Sequence, residues 1–170
     1  MNKILVEIVG SEVRLSNKLF AMRFSRKTGG FPSSFGFADE PPLMQTEIPL
    51  ISASYNKRLV RPYLPEDIEP EIIEYDEKYE VIFDRLPWRF DDDGTEVPAF
   101  EISLSYEVFV DGVVFVRTIF CANSLEEFKL ENFALEPVIK LQDEEEANWA
   151  YWKFPREYSA ALIQNLGSFE

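Results

Sequence analysis

Large and polar side chains alternate along residues 100–110. Phe100, Ile102, Leu104, Tyr106 and Val108 take one set of positions, and Glu101, Ser103, Ser105 and Glu107 take the other. A period of two is the signature of a strand with one face in a core. Asp111-Gly112 follows, and a β-branched and aromatic run resumes from Val113 to Cys121. An Asp-Gly pair supplies the positive φ angles of a tight hairpin turn. This hairpin is predicted to be the central, most protected element. A carboxylate placed at Leu104 is expected to abolish folding, and one at Ser103 to be tolerated.

A second hairpin is predicted from residues 71–75, through Asp76-Glu77-Lys78, into residues 79–83. The opening reads as a meander of strands at 4–9, 13–15 and 19–24, with turns at Gly10-Ser11 and Ser16-Asn17-Lys18. The Gly29-Gly30 pair marks a further turn, and residues 31–37 and 48–55 are candidate strands. Ser124 with Glu127 mimics a helix capping box before residues 128–135. The neighbouring pattern and Pro137 favour a strand there. Only residues 158–166 carry a helical pattern. The proline-rich, acidic stretches 38–42 and 62–70 read as loops, too short to divide the chain. The prediction is a single domain over residues 1–170, mainly β, an antiparallel β-sandwich with at most a short C-terminal helix.

Composition agrees with a folded domain. Hydrophobic residues make up 46% and aromatics 15%, too apolar for a disordered chain. No apolar run approaches the roughly 20 residues that cross a bilayer as a helix. The N-terminus has one basic residue and an apolar stretch broken at Glu7, which is not a secretory signal. Either the protein is cytoplasmic or a leader has been removed. The net charge of −14 repels phosphate backbones and anionic lipid, so neither nucleic acid nor a membrane is expected as a partner. The acids either keep a sheet-rich surface soluble or receive a cation or a basic partner. Cys121 is the only cysteine, which rules out an internal disulfide and suggests a small buried hydrophobe. There is no histidine. Histidine-dependent nucleophilic catalysis and imidazole-ligated metals are therefore excluded.

The opening, in which Val13-Arg14-Leu15-Ser16-Asn17 leads into residues 19–24 and then Thr28-Gly29-Gly30, resembles galactose-mutarotase-like β-supersandwich domains. The stretch 105–112, followed by 128–137, is similar to their long hairpin and the strand after it. The resemblance covers about two thirds of the chain by pattern. It implies a module of carbohydrate-active enzymes, a group that includes aldose epimerases, polysaccharide lyases and non-catalytic parts of glycoside hydrolases. The epimerases use histidines with a glutamate, so no catalytic residue carries over to this chain. It is also short for a full supersandwich, as a portion of a larger enzyme would be.

Three constellations carry candidate chemistry. Trp88 and Arg89, before Asp91-Asp92-Asp93-Gly94, form a possible sugar-stacking or partner-binding corner. The aspartates offer hard oxygen ligands for calcium, although their spacing is not that of an EF-hand loop and a solvated turn explains them as well. No cofactor is expected. Trp149, Tyr151 and Trp152 form an aromatic cluster with faces suited to pyranose rings, or to a core or protein interface. In a strand Trp149 and Tyr151 share one face, while Trp152 takes the other. The acidic run Asp143-Glu144-Glu145-Glu146 reads as a solvated loop. Glu101, Glu107, Glu131 and Glu136 are possible acids, but nothing selects a catalytic pair. The leading expectation is a non-catalytic module that binds a glycan through Trp88, Arg89, Trp149, Tyr151 and Trp152. The alternative is an acidic structural or protein-interaction subunit with no sugar ligand.

Overall fold

The computed structural model describes residues 3–10, 12–123, 128–135, 149–153 and 161–165; for residue 135 and the last two stretches it describes the backbone alone. The fold is mainly β, with two larger antiparallel sheets and no α-helix among the described residues. No described helix is long and apolar enough to cross a membrane.

The first sheet is a meander of β1 (Leu5–Val9), β2 (Glu12–Ser16), β3 (Phe20–Phe24), β4 (Pro32–Phe37) and β5 (Met44–Gln45), paired in that order. The Asn17 turn closes locally, because its side-chain oxygen accepts from the Leu19 N–H at 2.8 Å and the Phe20 N–H at 3.2 Å. Its amide donates to the Val110 carbonyl at 2.7 Å and so ties this sheet to the second.

The second sheet contains β6 (Ile51–Tyr55), β7 (Arg58–Pro62), β8 (Glu71–Glu74), β9 (Lys78–Phe90), β10 (Glu96–Phe109), β11 (Val114–Ala122) and β12 (Leu130–Leu135). Its path runs β11-β10-β9-β7-β6-β12, with β8 on β9. The two ends of that path approach each other: Phe120 on β11 lies 6.4 Å from Phe133 on β12, between ring centroids. The sheet is thus curled into a half-barrel. A separate pair, β13 (Trp149–Lys153) with β14 (Ala161–Asn165), is antiparallel, with Trp149 opposite Asn165.

The predicted alternation on β10 holds. Ile102, Leu104, Tyr106 and Val108 are buried, while Glu101, Ser103, Ser105 and Glu107 lie half-buried on the other face. They meet Val13, Leu15, Met22 and Phe24 of the first sheet in one core. Within it Phe24 packs edge-on to Tyr106 at 4.9 Å and against Phe83 at 5.6 Å. At about 1.5–3 kcal/mol for each large side chain removed from water, this double layer is the main source of stability.

Four expectations need correction. The 100–121 hairpin forms in the predicted register, from Phe100 opposite Ala122 to Val108 opposite Val114. Its second strand is not protected, however, since β11 lies at the sheet end with Phe115, Val116 and Ile119 exposed. The central pair is β9 with β10. The helical pattern at 158–166 fails where it is described, because Ala161–Asn165 is a strand satisfied by β13. Cys121 is half-buried rather than buried, on the outward face of β11. Finally, β9 continues through Pro87-Trp88-Arg89-Phe90, where the sequence suggested a corner. Two register shifts against β10 absorb the proline, and its carbonyl accepts from the Tyr63 N–H at 3.0 Å. Proline is tolerated in a strand where the ladder is interrupted in this way.

Candidate functional site

The 13-residue β9 and 14-residue β10 each present two faces with different work. The inner face fills the core. The outer face, continued onto β11, forms a groove of about 540 Å³ that includes Glu80, Asp84, Arg85, Ser103, Arg117 and Asn123. Its polar groups are held by one another. Ser105 donates to Glu80 at 2.6 Å, and Ser103 donates to Asp84 at 2.7 Å. Arg85 sits in a left-handed conformation with φ 52°, which places its N–H on the Ser103 hydroxyl at 3.0 Å. Its guanidinium reaches Glu101 at 2.6 Å and Asn123 at 3.2 Å. The hydrogen bond to Glu101 raises the already high pKa of Arg85. Along the same face Lys78 pairs with Glu107 at 2.5 Å. The candidate acids Glu101 and Glu107 are therefore committed to cations. Glu131 is likewise paired, with Lys129 at 2.5 Å, and Glu136 lies outside the described residues.

A second, apolar cleft of about 650 Å³ opens on the other side of β11. Met22, Phe35 and Met44 of the first sheet line it, with Val114 and Val116 of β11 and Phe133 of β12. Tyr106 also lines it, and its buried hydroxyl has no hydrogen-bond partner among the described residues. Burial alone pushes that phenol well above its ordinary pKa. Among the described residues β11 pairs only with β10, and β12 only with β6. The β11 edge thus stands between the outer groove and the inner cleft, and apolar surface predominates in both.

No family model, curated protein or solved structure matches the chain.

The structure separates the residues proposed from sequence. Trp88 is fully buried, with Phe100 at 5.4 Å and Phe120 at 5.9 Å, so its indole stacks in the core and does not face solvent. The alternation of β9 past its irregularity decides this: Leu86 and Trp88 point inward, while Arg89 points out. Arg89 lies over the Tyr63 ring at 5.1 Å. Tyr63 donates to Glu96 at 2.7 Å, and burial, with Glu96 beside it, pushes its phenol up to about 12. Trp149, Tyr151 and Trp152 stand on β13, and their side chains lie outside the description, as does the acidic run at 143–146. Sequence reading passed over the β11 edge. The strand is apolar on odd and even positions alike, a pattern that a strand buried on both faces carries as well, so it does not mark an edge.

The triple aspartate is an arginine-bound turn. Arg58 on β7 donates to Asp92 at 3.0 Å and to Asp93 at 2.6 Å, and Arg61 lies 3.6 Å from Asp91. No cluster of three acidic or thiol ligands suited to a metal occurs among the described residues. The Thr95 N–H and then Arg58 hold the Asp93 carboxyl down to about 2. A depressed carboxylate contributes stability that is complete above its unfolded pKa of about 3.9 and fades as pH falls toward the folded value. The melting temperature is therefore expected to fall between about pH 4 and pH 2, and Asp93→Asn to show a shallower fall. The difference should be modest, because the pair is exposed and screened. Equal slopes in calorimetric titrations of both proteins would refute the assignment.

Proposed function

We propose that this chain is a non-catalytic protein-interaction module that takes an extended polypeptide at the free edge of β11. The observation that carries the reading is the edge itself: nine residues, unpaired on one side among the described residues, with Phe115, Val116, Ile119 and Phe120 exposed. Monomeric proteins blunt such edges with charge, proline or a covering element, since an open row of N–H and C=O groups templates further pairing. Arg117 is the only charged residue on β11, and the strand contains no proline. Strand addition uses those main-chain groups for affinity and the flanking pockets for selection. The acidic character of the chain favours fast, salt-sensitive association with a basic partner. The test is chemical cross-linking of the full chain in native extract at low salt. A stoichiometric partner cross-linked to β11, and lost with Ile119→Lys, is the expected result. Cross-links mapping elsewhere, or capture indifferent to Ile119→Lys, would overturn the reading.

A second reading, binding of a glycan, is favoured by the outer groove, whose carboxylates, guanidiniums and Asn123 suit sugar hydroxyls. The resemblance to mutarotase-like domains supports it, with Arg89, Trp149, Tyr151 and Trp152 as candidate contacts. Trp88 drops out of the set because of its burial. Absence of binding on a glycan array at millimolar concentration would remove this reading.

A further inference from the structure

We infer that the inner cleft is a binding site for a neutral, mainly apolar small molecule, anchored by a carbonyl oxygen that accepts from the Tyr106 hydroxyl. The inference goes beyond strand addition and does not rest on it, because it uses the lining of the cleft and not the main-chain edge. The cleft holds about 650 Å³, within the span of about 300–1,000 Å³ typical of small-molecule sites. Such sites combine apolar walls with a few polar groups that fix the ligand's orientation. Here Tyr106 and Thr118 carry the only side-chain hydroxyls among the described residues that line the cleft. Tyr106 is 1% exposed, and its hydroxyl has no hydrogen-bond partner among the described residues. A buried donor left unpaired is costly, and native proteins rarely keep one without a use. Phe24 at 4.9 Å and Phe83 at 6.4 Å between centroids hold the ring, so the donor is fixed before a ligand arrives. Thr118 stands diagonal to it across the β10–β11 ladder, since Tyr106 faces Val116. The hydroxyl is closed to solvent, and the unbranched side chains of Met22 and Met44 are the parts of the lining that can shift to admit a ligand. Val116 and Phe133, each more than half exposed, would be covered by the ligand's apolar body, and that burial drives binding. The ligand is neutral because no Asp, Glu, Lys or Arg lines the cleft. A carboxylate or an ammonium placed there would lose its hydration without gaining a counter-charge.

The experiment uses the full chain and three fluorescent probes. Prodan is a neutral naphthalene bearing one ketone, dimethylaminonaphthalene lacks the ketone, and anilinonaphthalene sulfonate is an anion. Prodan is expected to bind with blue-shifted emission and more tightly than either of the others. Tyr106→Phe should weaken prodan about fivefold, the worth of one net hydrogen bond, and leave dimethylaminonaphthalene unchanged. The same variant should melt no lower than the parent protein, because the hydroxyl it removes has no partner to lose among the described residues. Val116→Trp, which fills the cleft from a half-exposed position, should abolish prodan binding. Phe115→Trp, exposed on the opposite face of the same strand, should leave it intact. If prodan does not bind, or anilinonaphthalene sulfonate binds as tightly, the inference falls. Equal affinity of prodan for Tyr106→Phe, or a lower melting temperature of that variant, would show that the hydroxyl is not the anchor. Loss of binding in Phe115→Trp as well as Val116→Trp would place the probe on the outer surface of β11 and overturn the cleft as its site.

Discussion

Leu104→Asp is expected to leave the chain unfolded at 25 °C, with its β-sheet circular dichroism lost and no cooperative melting transition. Leu104 is 1% exposed and sits between Phe83 on β9 and Thr118 on β11. Removing a buried leucine side chain costs about 2–5 kcal/mol. An unpaired carboxylate at the same place adds several more, because burial of an uncompensated charge is opposed by its lost hydration. The sum approaches the roughly 5–15 kcal/mol that holds a typical domain together. The comparison on the opposite face needs care. Ser103 donates to Asp84 and accepts from Arg85, so Ser103→Asp would bring two carboxylates together and is no longer expected to be neutral. Ser103→Ala is the cleaner control and should cost about 1 kcal/mol for the lost hydrogen bonds. Equal urea midpoints for Leu104→Asp and Ser103→Ala would disprove the assignment of inner and outer faces.

Gly29→Ala should be the most damaging glycine-to-alanine substitution among the described residues, lowering stability by on the order of 2–6 kcal/mol. Two causes combine. Gly29 has φ +59°, and a side chain held in a disfavoured backbone region costs about 1–3 kcal/mol. A Cβ there would also lie 2.5 Å from the Pro62 carbonyl oxygen and 3.0 Å from its carbon. Backbone cannot swing aside as a side-chain tip can, and overpacking adds about 1–3 kcal/mol. Gly94 separates the two causes. It has φ +73° with nothing within 4 Å of where a methyl would stand, so Gly94→Ala carries the conformational cost alone. Urea denaturation should therefore place the Gly29→Ala midpoint well below that of Gly94→Ala. Coincident midpoints would show that the approach of Pro62 is not a constraint.

These two positions differ in how far the sequence anticipates them. Leu104 was legible because strand periodicity is local: five large residues at even positions and polar ones between leave little freedom in which face is buried. Gly29-Gly30 was legible as a turn, but the reason alanine is excluded lies on β7, some thirty residues away. Trp88 was misread for a related reason. A tryptophan beside an arginine and three aspartates looks like a surface corner until Arg85 and the shifted register carry β9 through it and turn the indole inward.

What the sequence determined by itself is everything set by short-range pattern: the β class, the turns at Asn17 and Asp111-Gly112, the two predicted hairpins, and the exclusion of histidine chemistry. What only the tertiary structure decided is which strands end a sheet and what stands across from them. The alternation of β10 reports a buried face without saying that β11 lies at an edge, because edge and interior strands share the same local propensities. Nor does it say that curling brings β12 near β11 and leaves an outer groove on one side and an inner cleft on the other. Arg58 and the Asp92-Asp93 turn make the same point, since a string of aspartates resembles a cation site until a neighbouring strand supplies the cation as a guanidinium. Charge and periodicity are written residue by residue, whereas a site is made by segments that meet only after the chain has folded.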